Sequence, residues 1–337
     1  MSSEYEFHSP LREGMVLYRE ISKKELAESS FVTRMSHICD YDKYIASHNY
    51  EENDAIKEPA VTGWLSTHSD LSYRTIENYK KSIRTFLRFY SVLTGKKTYV
   101  PPSFRTDDSY IPYIFTDEEM NTIYGFVDNY EAGAKNTLPH IDIEFPMVIR
   151  MLDSNGFRLN ELITTKMTNV NLDDGFIKII NAKGNKQRIV PLESEMTELL
   201  RIYCKTMKLQ ENAPAYLFPR RKPTEPLRNI DITSRFRIVL VKAGIRKERS
   251  TKRYAREACV HCLRHRFTMK AIQQLMLNGI SLEETVPYLS FYLGHNGIVE
   301  TETYMKFLAD FLPEELDKFS KFAVNFLPDE SIWNDWM

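Results

Sequence analysis

A change of pattern between Gly95 and Pro112 constrains the fold more strongly than the rest of the sequence does. The segment is GKKTYVPPSFRTDDSYIP, in which helical periodicity is lost and proline, glycine, serine and charged residues accumulate. This composition is typical of an extended linker. Helical spacing resumes on both sides of it. The chain of 337 residues is therefore predicted to fold as two domains joined by residues 96–112.

The first predicted domain, residues 29–95, is helical. Its clearest helix follows Ser72, where apolar residues recur at steps of three and four positions: Ile76, Tyr79, Ile83, Phe86, Leu87 and Tyr90. Five cationic residues of this helix fall largely outside that apolar stripe, namely Arg74, Lys80, Lys81, Arg84 and Arg88. They are candidates for DNA-backbone contacts, with a solvated charged surface as the alternative. Residues 1–28 are interpreted as an N-terminal extension.

The second predicted domain, residues 113–312, is mainly helical and contains a small antiparallel sheet. Thr116 and Glu119 have the spacing of a capping box at the start of a helix. Alternating Ile177 and Ile179, a Lys-Gly-Asn-Lys turn and an extended segment at 188–191 predict a β-hairpin among the helices. The fold class is therefore mainly α with a minor antiparallel β-sheet. Residues 313–337 are expected to form a C-terminal helix and tail.

The distribution of charge predicts an anionic partner, although the net charge of the chain is only −1. Residues 176–270 contain 23 Lys and Arg against 8 Asp and Glu, a net charge of +15, and the remainder carries −16. Such a basic segment is typical of a surface that meets phosphates. The four cysteines are too sparse for a disulfide scaffold and suit a reducing compartment. No apolar run approaches the roughly 20 residues that span a bilayer, which predicts a cytoplasmic protein without a membrane partner.

Four separated segments contain the residue types that phosphate chemistry needs. They are Gly156-Phe-Arg158-Leu-Asn-Glu161-Leu162, Ala182-Lys183-Gly184-Asn-Lys186-Gln-Arg188, His261-Cys-Leu-Arg264-His265, and Leu293-Gly294-His295 with Tyr304 downstream. In this order they resemble the tyrosine recombinase, or phage integrase, family. That family has a Gly-x-Arg before a short helix, a lysine on a hairpin turn, a His-x-Leu-Arg-His box, and a Leu-Gly-His box followed by tyrosine. The resemblance covers most of the chain and is weakest over residues 1–28.

The resemblance implies a catalytic role for each of six residues. Arg158 and Arg264 would hold the non-bridging oxygens of a DNA phosphate, a task for which planar, permanently charged guanidinium groups are suited. Tyr304 would attack the phosphorus atom and form a 3'-phosphotyrosyl link. Lys183 would protonate the leaving 5'-oxygen, with Lys186 as the competing candidate. His261 would assist proton transfer at the tyrosine, and His295 would hydrogen-bond the phosphate or support the same charge balance. The mechanism requires no metal and no cofactor.

The resemblance also implies an architecture and partners. The two domains would close as a clamp around double-stranded DNA, with a monomer off DNA and a homo-tetramer on two synapsed sites. Strand exchange would pass through a Holliday junction, in the integration, excision or transposition of a mobile element. Accessory DNA-bending or directionality proteins would take part. The C-terminal segment would dock on a neighbouring protomer, with packing on its own domain as the alternative. A nucleoid-associated, cytoplasmic location follows.

Other functions remain open at this point. An Xer-like resolvase or a type IB topoisomerase would use the same nucleophile and arginines, the topoisomerase only to relax supercoils. A silent DNA-binding regulator would bind DNA without forming a covalent link. The motif Cys259-Val-His261-Cys262, with His265 four positions beyond His261, also permits a zinc site or redox chemistry. A ligating His261 would then be withdrawn from the recombinase site.

Overall fold

The computed structural model describes residues 5–103, 112–133, 136–180, 187–248 and 257–294. The backbone divides into two units, Met1–Ser109 and Tyr110–Met337, which are described separately. The division falls within the predicted linker. Among the described residues, no helix has both the length and the apolar character needed to cross a membrane.

The described part of the N-terminal unit is helical. Its helices are α1 (Arg12–Glu25), α2 (Glu28–Ser47), α3 (Glu52–Ala55), α4 (Glu58–Ser66) and α5 (Tyr73–Thr94). The apolar stripe predicted for α5 faces the core, where Ile83, Phe86 and Leu87 are fully buried. α5 begins where the side chain of Ser72 accepts a hydrogen bond from an amide in the first turn. The predicted extension, residues 1–28, contributes α1 to this same core through the buried Met15.

The second unit is mainly helical, as predicted. Its elements are α6 (Asp117–Asp128), α7 (Ile141–Asn155), α8 (Leu159–Ile163), a 3-10 helix (Met167–Asn169), β1 (Val170–Asn171), β2 (Phe176–Ile179), β3 (Arg188–Pro191), α9 (Ser194–Thr206), α10 (Asn229–Lys242), α11 (His261–Leu277) and α12 (Leu282–Leu293). The predicted capping box is present at the start of α6, where Thr116 and Glu119 exchange hydrogen bonds. The assignment of mainly α with a small antiparallel sheet is confirmed.

Within the described ranges, the sheet has three antiparallel strands in the order β1, β2, β3. The predicted hairpin is formed by β2 and β3, where Ile177 lies opposite Val190. The predicted turn, residues 183–186, lies outside the described residues. The sequence did not predict β1, because two residues are too few to show the alternation of a strand.

Two helices of the second unit set the frame of the site. Helix α7 is buried through Phe145, Val148 and Leu152, and helix α11 packs against it. Arg266 of α11 pairs with Asp153 of α7 at 2.6 Å, and the two side chains are almost fully buried. Removing one partner of a buried ion pair lowers the stability of the fold by about 3 kcal/mol. This pair therefore fixes where α11 lies along α7.

Glu144 of α7 is a buried carboxylic acid with an unusual environment. Its side chain is fully buried, and neither carboxylate oxygen has a hydrogen-bond partner among the described residues. Burial raises the pKa of Glu144 to about 8, with further raising by Asp142 and Asp231 and partial compensation by Arg235. The protonated form is therefore the one that the folded unit accommodates.

Glu144→Gln should stabilise the folded protein above neutral pH. In wild type the unfolded chain loses a proton that the folded chain retains, so stability should decrease as pH rises from the ordinary glutamate range to about 8. The uncharged variant should lack this decrease. Near pH 8 its free energy of unfolding should exceed that of wild type by about 2 kcal/mol. Urea unfolding from about pH 5 to about pH 9 measures the difference. The exposed Glu131→Gln is the control, and parallel pH profiles for Glu144→Gln and wild type would contradict the prediction.

Candidate active site

The first predicted box lies where α7 ends and α8 begins. Gly156 closes α7 with φ of 62°, a left-handed conformation that favours glycine. A Cβ atom at this position would overlap the ring of Phe267 on α11. Both the backbone conformation and the close approach of α11 therefore require glycine here. The turn delivers Arg158 to the N-terminal end of α8.

Arg158 links this turn to the end of α12. Its Nη1 donates to Oε1 of Glu161 at 2.8 Å, and its Nη2 donates to the carbonyl oxygen of Gly294 at 2.9 Å. The side chain is 22% exposed, so part of the guanidinium can be reached from solvent.

Arg264 reaches the same place from α11. Its Nη1 donates to the carbonyl oxygen of Gly156 and its Nη2 to that of Leu293, each at 2.7 Å. The residue is 2% exposed. Arg264 and Arg158 therefore bind the carbonyls of the consecutive residues Leu293 and Gly294. The structure brings together the two predicted phosphate-binding arginines, which are far apart in the sequence.

His261 begins α11, one turn before Arg264. Desolvation by the surrounding protein, then the positive charges of Arg264 and of Arg158, lowers the pKa of His261 to about 4, although part of the side chain remains accessible to solvent. The rings of His261 and His265 lie 4.6 Å apart, edge to face. A histidine that is neutral at physiological pH can accept a proton, as its predicted role requires.

Three predicted catalytic residues, Lys183, His295 and Tyr304, lie outside the described residues. Their predicted roles therefore stay predictions. Described residues close in the sequence to two of them lie at this site. Gly294, which directly precedes His295, accepts the hydrogen bond from Arg158. Arg188, the first residue of β3, donates to Glu161 at 2.7 Å.

Glu161 and Arg188 have no role in the sequence-based prediction, although both belong to the quoted boxes. Oε1 of Glu161 accepts from Arg158 and Oε2 accepts from Arg188, and the carboxylate is almost fully buried. Burial alone would raise the pKa of Glu161, but the hydrogen bonds and charges of Arg188 and then Arg158 lower it. In the sequence, Arg158 and Glu161 stand three residues apart at a helix start, and this spacing could have indicated the role of Glu161. No local spacing indicates Arg188.

Among the described residues, the site carries an excess of positive charge. Two arginines share the single carboxylate of Glu161, and Arg264 adds a third guanidinium that is bound by backbone carbonyls. The Nε and Nη1 atoms of Arg188 are buried without a hydrogen-bond partner among the described residues. A Cβ atom on Gly294 would lie 3.0 Å from that Nη1, so Arg188 lies directly against the chain that precedes His295. An anion at this site would be stabilised.

Comparison with known proteins identifies the chain at the level of the family. The sequence profile of the Phage integrase family matches residues 114–307, more than half of the chain. The chain belongs to this family. It is a tyrosine recombinase, an enzyme that breaks and rejoins DNA.

Two curated relatives resemble the recombinase over most of their length. Tyrosine recombinase XerC of Chlorobaculum parvum is 29% identical over 262 residues, which cover 73% of this chain and 72% of the relative. Tyrosine recombinase XerD of Staphylococcus aureus is 26% identical over 274 residues, covering 78% of this chain and 83% of the relative.

Two solved structures share the fold of the recombinase. XerH site-specific recombinase bound to its difH substrate has a TM-score of 0.61 at 19% identity, covering 93% of this chain and 90% of that one. A lambda integrase tetramer bound to a Holliday junction has a TM-score of 0.62 at 16% identity, covering 86% and 78%.

Arg188→Gln should slow DNA cleavage by the recombinase on the order of 10- to 100-fold, because Glu161 would lose a partner and hold Arg158 less firmly. Single-turnover cleavage of a nicked substrate measures the effect, with thermal melting as the check on folding. Arg188→Lys, which keeps the charge, should recover part of the rate. The control is Arg201→Gln, which removes an exposed arginine that pairs with Glu198 on α9. Equal losses in Arg188→Gln and the control would contradict a positioning role.

The five candidate DNA-binding residues on α5 of the recombinase have different environments. Lys80 and Arg84 both pair with Glu77, and Arg84 also donates to the carbonyl oxygen of Pro101 at 2.8 Å. Arg74, Lys81 and Arg88 are exposed. These three are spaced seven residues apart, which places them in nearly one line along the helix. The exposed stripe is the better candidate for phosphate contacts.

Proposed function

We propose that this tyrosine recombinase exchanges DNA strands at specific sites through a 3'-phosphotyrosyl intermediate formed by Tyr304. The observation that carries the proposal is the meeting of Arg158 and Arg264 at two consecutive carbonyls, with His261 one turn away. A DNA phosphate bound there would lie against two permanently charged guanidinium groups. Preorganised donors of this kind are the largest single source of catalysis in many such reactions.

The chemistry follows from the charges that develop. Attack by the oxygen of Tyr304 on phosphorus forms one P–O bond and breaks the bond to the 5'-oxygen, while charge grows on the non-bridging oxygens. Arg158 and Arg264 stabilise that charge. His261, neutral at physiological pH, takes part in accepting the tyrosine proton, Lys183 protonates the 5'-oxygen, and His295 hydrogen-bonds the phosphate. The 5'-hydroxyl then attacks the phosphotyrosyl link, so rejoining needs no ATP.

The assembly that we propose is a tetramer on two synapsed DNA sites, with a monomer off DNA. The lambda integrase of similar fold is a tetramer bound to a Holliday junction, which supports this arrangement. Residues 29–95 would form a core-binding domain and residues 113–312 the catalytic domain, together closing on double-stranded DNA. Residues 313–337 would dock on the neighbouring protomer. Accessory DNA-bending or directionality proteins would complete the assembly in the cytoplasm.

We place the enzyme in the integration, excision or transposition of a mobile element. A second candidate role, that of an Xer-like resolvase, is favoured by the likeness to the XerC and XerD recombinases. The two roles differ in their DNA. A mobile-element enzyme should act on sites at the boundaries of the element that carries its gene, and a resolvase on a site elsewhere in the chromosome.

Covalent trapping followed by recombination tests the proposed function. The purified enzyme is incubated with nicked, labelled fragments from the flanks of its own gene, denatured, and examined for protein-linked label. The enzyme is then incubated with plasmids that carry two, one or no copies of any fragment that forms the link. Recombinant products only from two copies would support the proposal. Relaxation of plasmid lacking the site would favour a topoisomerase, and binding without a covalent link would favour a DNA-binding regulator.

A further inference from the structure

Two cysteines lie in contact beside the candidate active site. Cys259 precedes α11 and Cys262 lies in its first turn, with their Sγ atoms 3.8 Å apart. The amide of Cys259 also donates to Sγ of Cys262 at 3.4 Å. Both are free thiols. A disulfide requires the sulfur atoms to approach to about 2 Å, so a movement of roughly 2 Å would join them.

The two thiols differ in access and in acidity. Cys262 is buried, whereas Cys259 is half-buried and lines an open groove of about 990 Å³ with His261 and one face of α10. The hydrogen bond from the Cys262 thiol lowers the pKa of Cys259 against the opposing effect of burial, and the backbone amides of His261 and Cys262 lower it further. The same contact and burial raise the pKa of Cys262. Cys259 therefore has the properties of an attacking thiolate, and Cys262 those of a resolving thiol.

The backbone between the cysteines carries a catalytic candidate. Only Val260 and His261 lie between them, and Arg264 follows Cys262 by two residues. A disulfide would enclose Val260 and His261 in a small covalent ring. Because the ring restricts the backbone, its closure would change the position of the His261 imidazole. Among the described residues, no group of three or more His, Cys, Asp or Glu side chains is arranged to hold a metal.

We propose that Cys259 and Cys262 are a reversible modification site, which a peroxide oxidises to an intramolecular disulfide that slows DNA cleavage by displacing His261. The effect on cleavage rests on the proposed function of His261, whereas the modification itself does not. The structure thus assigns to the CxxC motif a role as an oxidant-sensitive site on the recombinase.

The chemistry balances with hydrogen peroxide as the oxidant. The Cys259 thiolate attacks one peroxide oxygen, the O–O bond breaks, and a sulfenic acid forms as hydroxide leaves and takes a proton. The sulfur of Cys262 then attacks the sulfenic sulfur. The S–O bond breaks, the thiol proton is lost and water leaves. The two thiols supply two electrons, and the peroxide becomes two molecules of water. A dithiol reductant restores both thiols by exchange.

Mass spectrometry and cleavage kinetics test the proposal on the full chain. Reduced enzyme is treated with hydrogen peroxide, quenched, alkylated under denaturing conditions and digested. We expect a peptide in which Cys259 and Cys262 are joined with the loss of two hydrogens, and DNA cleavage slowed by about tenfold or more. Dithiothreitol should restore both. Cys259→Ser and Cys262→Ser should each form no intramolecular link and resist this reversible loss, whereas Cys204→Ser on α9 should behave as wild type.

The outcomes separate this proposal from the proposed function. Absence of the Cys259–Cys262 link after peroxide treatment overturns the modification site, whatever the enzyme does to DNA. If the disulfide forms and the oxidised enzyme still cleaves DNA as fast as the enzyme with both thiols reduced, the proposed effect on His261 is overturned. If the reduced enzyme forms no covalent DNA adduct, the proposed function fails, and the mass spectrum still decides the modification site.

Discussion

Arg264→Ala should slow DNA cleavage by about three orders of magnitude or more. The substitution removes one of the two guanidinium groups proposed to hold the phosphate. It also removes the hydrogen bonds, each of 2.7 Å, that tie the carbonyls of Gly156 and Leu293 together. Both losses act on the same step, since these carbonyls position the turn that carries Arg158 and the end of α12. Single-turnover cleavage of a nicked substrate measures the rate.

Arg264→Lys separates charge from geometry. A lysine keeps the positive charge, but its single ammonium group cannot reproduce the planar fork that reaches both carbonyls. We expect this variant to cleave on the order of 100-fold more slowly than wild type. Arg201→Ala, which removes an exposed arginine of α9, is the control for loss of positive charge in the same unit. A cleavage rate for a folded Arg264→Ala that equals that of the control would remove Arg264 from the proposed site.

Tyr304→Phe should abolish the covalent protein–DNA link and leave DNA binding intact. Phenylalanine retains the size of the ring and lacks the oxygen that would attack phosphorus, so no phosphotyrosyl bond can form. Gel-shift titration measures binding, and denaturing electrophoresis of labelled, nicked DNA measures the link. The expected result is binding within about threefold of wild type, with no detectable link.

A second tyrosine provides the matched control. Tyr288 lies on α12 and is 63% exposed, so Tyr288→Phe removes a hydroxyl group from the same unit of the chain without disturbing the core. This variant should form the link at the wild-type rate. Persistence of the link in Tyr304→Phe would mean that another group is the nucleophile, and mapping the linked peptide would identify it.

The pairing of Glu161 explains how three arginines can lie together. A buried guanidinium without a partner is costly, and three of them would repel one another. Glu161 divides its two oxygens between Arg158 and Arg188, and backbone carbonyls bind Arg264. The described residues of the site place one carboxylate, that of Glu161, among these three guanidinium groups. A phosphate bound there would be held by the guanidinium groups and would reduce the repulsion between them. The substrate would therefore take part in balancing the charge.

The sequence alone determined the features that depend on neighbours within a few residues. The buried stripe of α5, the capping box of Thr116 and Glu119, and the hairpin of β2 and β3 were all predicted and are present. Gly156 and Arg158 were predicted as one box, and the left-handed turn explains their spacing. The order of the four boxes was sufficient to predict the family. These features follow from hydrogen bonds and periodicity that are local in the chain.

Only the tertiary structure decided which distant side chains meet. The packing of α7, α11 and α12 places Arg158 and Arg264 on consecutive carbonyls, and the hairpin brings Arg188 to Glu161. Lys80 and Arg84, which contact Glu77, are less exposed than the other three cations of α5. Contacts of this kind join residues that the chain separates widely, so no local spacing encodes them. They are set by how the buried faces of the helices fit together, and that fit is a property of the whole fold.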